Sequence, residues 1–411
     1  MAMFQRNMVS EIRERMREVG NPLLQVIVGP RQTGKSTMLT QALEEINLPY
    51  LFVSSDDAEI PSRQWLETQW QQARHLATSN TDSGAKTSSK KTPPSALLVV
   101  DEIQKVPKWS SAVKALWDED QVTGVNLKVF LSGSSSLLIQ SGLEESLMGR
   151  FELLRSTHWS FAECREAFGF DLDDFLFFGG FPGAARFVKD EARWRDYLRN
   201  SIIEPTIAMD AFAVAEIRKP ALLRALFSLG ARFSSQELSY TKMLGQLHDA
   251  GNTTTLASYL DTLGKVGMLA GLSKYHPSVL TSRKSSPRLM VFDTALMTAT
   301  STASKKAFLA DSEARGHLVE SAVGASLLAR GPVEGFEIFW WREGNAEVDF
   351  VLRRDEDLVA LEVKSGRQKP RGGMDAFLRL YPEARRLVVG GGGRGAVDLE
   401  AFLAGQVPLF D

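Results

Sequence analysis

The chain has 411 residues, room for two or three domains at the usual ~150 residues each. Its 44% hydrophobic and 24% charged residues are those of a globular protein, and a net charge of −2 gives no global basic field, so any nucleic-acid site must be local. A single cysteine, Cys164, excludes an intrachain disulfide, and the five scattered histidines suggest no zinc site. The longest nearly uncharged apolar stretch, Phe175 to Ala185, is shorter than the ~18 residues of a membrane span, and the start of the chain lacks the pattern of a secretory signal. A cytoplasmic protein with no membrane partner is expected.

The first elements carry the clearest chemistry. The apolar run Leu24 to Val28 reads as a strand and the stretch from Ser36 to Glu45 as a helix. Between them Gly29, Pro30, Arg31, Gln32, Thr33, Gly34, Lys35 and Ser36 fit G-x-x-x-x-G-K-[ST], with Thr37 next in the helix. Such a turn aims backbone N–H groups at one anion, and the helix N-terminus adds about half a positive charge. Lys35 can reach the β- and γ-phosphates of ATP, and Ser36 offers a hydroxyl to Mg²⁺. Next, Ala96 to Val100 is uninterruptedly apolar, as a central parallel strand requires, and ends in Asp101-Glu102. Asp101 can hold Mg²⁺ through water, and Glu102 can act as general base on the attacking water.

A third strand, Leu127 to Leu131, leads into Ser132-Gly-Ser-Ser-Ser136. There a γ-phosphate sensor is expected, Ser134 first and Ser132 close behind, unless the segment is a plain turn capping the next helix. Arg150, before the strand-like Phe151 to Arg155, can stabilise transition-state charge in cis or as a finger into a neighbouring subunit, or be an ordinary surface arginine. Thr78 to Ser95, rich in Ser, Thr and Lys, cannot bury a core and reads as a surface insertion.

The segments Gly29 to Ser36, Leu131 to Ser136, Gly149-Arg150, Trp159-Ser-Phe-Ala-Glu163 and Gly179-Gly-Phe-Pro-Gly183, with the Asp101-Glu102 pair, resemble a prokaryotic group of AAA+ ATPases whose members end in a domain long described as of unknown function. The resemblance spans nearly the whole chain. It implies an α/β P-loop AAA+ domain over about residues 1–165, which departs from the group mainly at the insertion.

From about 166 to 305 the pattern is helical, with aromatic residues from Phe175 to Tyr197 at spacings that suit a buried face. Helices are expected at Pro220 to Ala231, Ser235 to Leu247 and Thr253 to Val266, the third with a hydroxyl N-cap. Two strands, Met268 to Tyr275 and Arg288 to Phe292, complete a winged helix. Its third helix would expose Thr254, Thr255, Ser258 and Tyr259, with Arg283, Lys284 and Arg288 in the wing near phosphates. With Lys265 as that helix's one basic residue, it serves either duplex contact or packing.

From about 306 to 411 the order is αβββαβ. The helix Glu313 to Arg330 carries Glu320; the strands Glu347 to Leu352 and Val359 to Lys364 carry Asp349, Glu362 and Lys364. Strand periodicity puts Glu362 and Lys364 on one face. Glu320, Asp349 and Glu362 can converge on Mg²⁺ while Lys364 activates water. This arrangement resembles the PD-(D/E)XK nuclease fold, as the group's terminal domain does; such a domain either cleaves or survives as a binding or assembly module. Lys364, Arg367, Lys369 and Arg371 would add a phosphate-facing strip.

The expected function is ATP hydrolysis by a homo-oligomer, up to a hexameric ring, that binds or remodels duplex or branched DNA, with cleavage open. The alternative is a nucleotide-dependent switch or scaffold for a protein partner, with an inactive nuclease-like domain.

Overall fold

Apolar strands buried on both faces set the first sheet. In the computed structural model, which describes residues 4–81, 94–133, 146–212, 217–248, 251–277, 285–366, 372–393 and 395–410, five parallel strands follow the chain as β1 (Leu24–Val28), β2 (Tyr50–Ser54), β3 (Ala96–Asp101), β4 (Leu127–Gly133) and β5 (Phe151–Arg155). Their order is β2-β3-β4-β1-β5. β1 and β3 are buried along their whole length, which explains their uninterrupted apolar sequence. Ile27, Leu97 and Val99 face helices Asn7–Arg17 and Lys35–Leu43 through Ile12, Met16, Met38 and Leu39. Leu24, Val26, Leu98 and Val100 face helices Arg63–Thr81 and Trp109–Thr123 through Leu66, Trp70 and Val113. Helices on both faces therefore hold the C-terminal ends of β1, β3 and β4 side by side, the usual place for a ligand in an open parallel sheet.

The chain divides into two compact units, Met1–Thr157 and His158–Asp411, where three domains were expected. The expected border near 305 falls inside the second unit because one sheet crosses it. Strands β6 (Leu269–Lys274), β7 (Arg288–Val291), β8 (Glu337–Glu343), β9 (Ala346–Arg354), β10 (Asp357–Lys364) and β11 (Arg385–Gly390) have the order β11-β10-β9-β8-β6-β7. The antiparallel ribbon β6·β7 joins β8 through Ser273↔Phe339 and Lys274↔Trp340. One large core runs from Phe161 to Phe410 across that border, beside a smaller cluster around Tyr275, Trp341 and Phe377.

The three helices ahead of the ribbon are Pro220–Arg232, Tyr240–Gln246 and Thr253–Lys265. The second starts five residues later than expected. Ser235 adopts φ 67°, Glu237 bridges to Arg288, and Ser239 accepts the Lys242 N–H as cap. The third is capped by the Asn252 carboxamide, which accepts from Thr255 N at 2.8 Å, not by a threonine hydroxyl. The aromatic residues of the second unit pack on one another: Phe177 and Phe178 meet Trp194 at 5.6 and 5.2 Å, and Phe177 meets Phe308 at 6.1 Å. After the long helix Ser312–Glu334, the elements β8, β9, β10, helix Gly373–Leu380 and β11 follow in the order αβββαβ.

Candidate functional site

The P-loop closes the C-terminal end of β1. Gly29 is dictated by space, since a Cβ there would stand 2.2 Å from the Ser156 carbonyl oxygen. Gly34 is dictated by backbone conformation, with φ 91° and open space around it, and it ends the turn as N-cap of helix Lys35–Leu43. Gln32 also has positive φ, at 57°. Thr33 is buried, its hydroxyl donating to the Pro30 carbonyl at 3.1 Å and meeting the Ser156 hydroxyl at 3.2 Å. The Lys35 ammonium donates to the carbonyls of Gly29 (3.0 Å) and Pro30 (2.7 Å), which keeps it against the loop. Arg31 is half-buried and Thr37 exposed.

Asp101, at the end of β3, faces this loop across β4. Ser36 Oγ donates to its Oδ2 at 2.5 Å, and Ser132, from the end of β4, donates to its Oδ1. Ser132, the second choice of the sequence reading, thus holds the acid rather than standing free as a sensor; Ser134 lies outside the described residues. Glu102 has φ 52° and ψ 41°, a left-handed conformation that costs a non-glycine residue ~1–3 kcal/mol and clusters at functional sites. Its carboxylate accepts from the Gln104 side chain.

Arg150 is elsewhere. The parallel register pairs Leu24 with Phe151 and Val28 with Arg155, so Arg150 precedes β5 at the edge of the sheet opposite the P-loop, about 16 Å away at ~3.3 Å per residue. It donates to Asp118 at 3.0 Å and lies over the Trp117 ring. The cis role expected as one option is thereby corrected. Arg6, which no sequence pattern singles out, is instead buried behind the loop, with Nη1 donating to Thr33 O (3.3 Å), Ser156 Oγ (3.3 Å) and Thr157 O (3.1 Å).

In the second unit the terminal carboxylates converge on an arginine. Arg288, expected in an exposed wing, is 4% exposed at the start of β7. Its Nε donates to Ser235 O at 2.7 Å and Nη1 to Asp349 O at 3.1 Å; Nη2 meets Glu320 at 2.5 Å, while Nη1 reaches Glu347 at 3.2 Å and Nη2 pairs with Asp349 at 3.7 Å. Asp349 Oδ2 accepts from Val363 N at 2.8 Å, and Lys364 pairs with Glu362. Burial pushes the Glu320 carboxyl up to about 8 against the lowering effect of Arg288, and the negative charge of Asp349 adds to the rise. Among the described residues no three His, Cys, Asp or Glu side chains are placed to hold one metal ion. The expected site of Glu320, Asp349 and Glu362 therefore does not fit Mg²⁺: its first two acids bind a guanidinium and its third a lysine.

The surface expected to meet DNA is also smaller than the sequence suggested. Thr254 and Ser258 are exposed, but Tyr259 is buried, its hydroxyl accepting from Lys219 N at 2.9 Å. Lys265 pairs with Asp261. Arg283, Lys284, Arg367, Lys369 and Arg371 lie outside the described residues. The glycine signature at 179–183 has a structural cause: a Cβ on Gly179 would stand 1.9 Å from Asp293 Oδ1, and Gly180 N donates to Asp293 Oδ2 at 2.8 Å. Burial raises Asp293 to about 7, and His158 lies 3.6 Å away. No helix among the described residues is long and apolar enough to cross a membrane.

Comparison with known proteins agrees with a P-loop ATPase fold for the first unit. Residues 21–165 match the family model of an AAA domain, and residues 169–307 and 315–401 match two domains of unknown function, DUF8612 and DUF4143. A protein of Methanocaldococcus jannaschii named uncharacterized protein MJ1544 is 23% identical over 349 residues, 80% of this chain and 72% of its own. The Walker-type ATPase PABY2304 of Pyrococcus abyssi superposes with a TM-score of 0.50 at 15% identity, covering 72% of this chain and 96% of that one. The Thermotoga maritima RuvB Holliday junction branch migration motor gives a TM-score of 0.33 at 13% identity, over 65% and 89% of the two chains. The first unit is a P-loop domain of the AAA type.

Proposed function

We propose that this chain hydrolyses ATP at the P-loop and uses the cycle to work on duplex or branched DNA as a homo-oligomer. The observation that carries the hydrolytic part is the 2.5 Å bond from Ser36 to Asp101, because it joins the last residue of the loop motif to the first acid of the second motif. Both are hard oxygen donors of the kind Mg²⁺ takes, so Ser36 and Asp101 would hold it, and the ion would supply charge neutralisation on the β- and γ-phosphates. The loop N–H groups from Pro30's successors to Lys35 and the Lys35 ammonium bind the phosphates. Ser132 keeps Asp101 oriented. Glu102 takes a proton from water as its oxygen bonds to the γ-phosphorus and the bond to the bridging oxygen breaks, leaving ADP and phosphate.

The αβββαβ order of the terminal elements supports a nuclease-like fold that binds rather than cuts, since its acids are engaged by Arg288 and Lys364. A second reading, a nucleotide-dependent switch on a protein partner, is favoured by the burial of Tyr259 and Arg288, which removes two of the groups offered to DNA. ATP turnover measured with and without single-stranded, duplex and four-way-junction DNA separates the two. Stimulation with binding that weakens steeply as salt rises is expected. ATP hydrolysis indifferent to every DNA, with no DNA bound at low salt, would sink the DNA reading and leave the switch.

A further inference from the structure

Arg288 stands where the fold would ask for a metal ion. The acids around it come from two elements: Glu320 from helix Ser312–Glu334, and Glu347 and Asp349 from β9. Its hydrogen-bonding capacity is used from both sides, because the Ser235 and Asp349 carbonyls accept from it as well. Arginine does not lose its proton in a protein, so the guanidinium is a permanent charge that no rise in pH removes. Nor can it swing aside readily, since Leu289, Met290 and Val291 next to it on β7 are fully buried.

The charge balance has the same sense. Glu320, Glu347 and Asp349 each pair with the one guanidinium, at 2.5, 3.2 and 3.7 Å, so Arg288 is the cation these carboxylates share. The donors are committed as well: Asp349 Oδ2 takes the Val363 N–H, and Glu362 is paired with Lys364. A Mg²⁺ or Mn²⁺ ion at ~2.1 Å from several of these oxygens would have to displace all of those partners at once.

We infer that Arg288 is the built-in cation of the terminal carboxylate cluster, holding the place of a divalent ion so that this unit is assembled and works without one. The inference goes beyond the ATPase reading and is independent of which partner the second unit binds. It assigns Arg288 a positioning role: it ties the β6·β7 ribbon to the long helix and to β9, and it keeps a latent metal site closed.

Mn²⁺ titration of the full chain without nucleotide, followed by the electron paramagnetic resonance signal of the free ion, tests this. The wild type should take up no Mn²⁺ that Asp349→Asn removes. Arg288→Gln should take up about one ion per chain, and the double variant with Asp349→Asn should lose it again. Arg288→Lys, which keeps the charge, should stay closed. A folded Arg288→Gln protein that takes up no Mn²⁺, or wild-type uptake abolished by Asp349→Asn, would overturn the inference. Should Arg288→Gln fail to fold by circular dichroism, the wild type and Asp349→Asn still decide. Equal absence of uptake in both, with a wild-type melting midpoint unmoved by Mn²⁺ or chelator, supports it, and uptake confined to the wild type refutes it.

Discussion

Two aspartates at the heart of the two units solve the same problem in opposite ways. Asp101 and Asp349 both lie on strands next to a second acid-bearing position and both are short of solvent, yet Asp101 is satisfied by the hydroxyls of Ser36 and Ser132 and Asp349 by a guanidinium and a backbone N–H. A serine hydroxyl is neutral and has lone pairs, so when a cation arrives it can turn from donor to ligand. A guanidinium has no lone pair to offer and repels the newcomer. The first arrangement is open to an exchangeable ion and the second is closed to it. The chemistry of a carboxylate site is thus decided less by its acids than by what already satisfies them.

The contrast is broken most sharply at the open site. Lys35→Ala should lower ATP turnover by about 10²-fold or more and weaken nucleotide binding, because it removes the ammonium held against the Gly29 and Pro30 carbonyls of the loop. Glu102→Gln should retain nucleotide while turnover falls by about 10²–10⁴-fold, the share of a general base. Binding measured with a fluorescent nucleotide and turnover measured by phosphate release separate the two effects, and undiminished turnover in Glu102→Gln would remove that residue from the mechanism.

At the closed site the expected loss is in stability rather than turnover. Arg288→Met removes a buried guanidinium from three partly buried acids, and breaking a buried pair on one side costs about 3–5 kcal/mol. In a unit of this size that is a fall of roughly 10 °C in melting midpoint. Calorimetry showing a change within a degree would mean that the acids find water or protons more easily than their burial implies.

A smaller effect follows from protonation. Glu320 is raised from 4.5 to about 8 and Asp293 from 3.8 to about 7, both first of all by burial. An acid whose folded value is raised binds its proton more tightly in the native state, so the stability it contributes is complete below its unfolded value and is lost as pH rises through the folded one. The second unit should therefore melt at progressively lower temperature from about pH 4.5 toward pH 8. Glu320→Gln, which keeps the neutral form at every pH, should flatten the upper part of that decline while leaving the part due to Asp293. A melting midpoint that climbs over this range would contradict the burial of both groups.

The legible parts of the molecule were those with a local code. Loop glycines, an apolar strand ending in acids, and the alternation around Glu362 each depend on a few neighbouring residues, and Gly29, Asp101 and β10 appear where that code puts them. Arg288 was illegible because its role depends on Glu320, 32 residues away, and on β9, 61 residues away, joined by a sheet whose order no local pattern encodes. The available signal was an arginine opening the apolar run Leu289 to Phe292, a poor place for a solvated charge. Arg6 gave no such sign: it stands alone before the first helix, and only the fold brings it behind Thr33 and Ser156.

Arg150 offers the finest test of how far the open site extends. In its own subunit it lies at the far edge of the sheet, so Arg150→Ala should leave the loop of that subunit intact, and losing its half-exposed pair with Asp118 should cost only about 0.2–1 kcal/mol. If oligomers form and Arg150 reaches a neighbour's phosphates, the same substitution lowers turnover in the assembled state without changing nucleotide affinity in dilute protein. Mixing Arg150→Ala with Glu102→Gln subunits then distinguishes the roles, because a mixed interface can pair an intact Glu102 with an intact Arg150. Recovered turnover, measured against the subunit ratio, is expected for a finger acting in trans. A mixture no more active than its parts would leave Arg150 as the partner of Asp118 and Trp117, and the open site would be complete within one chain.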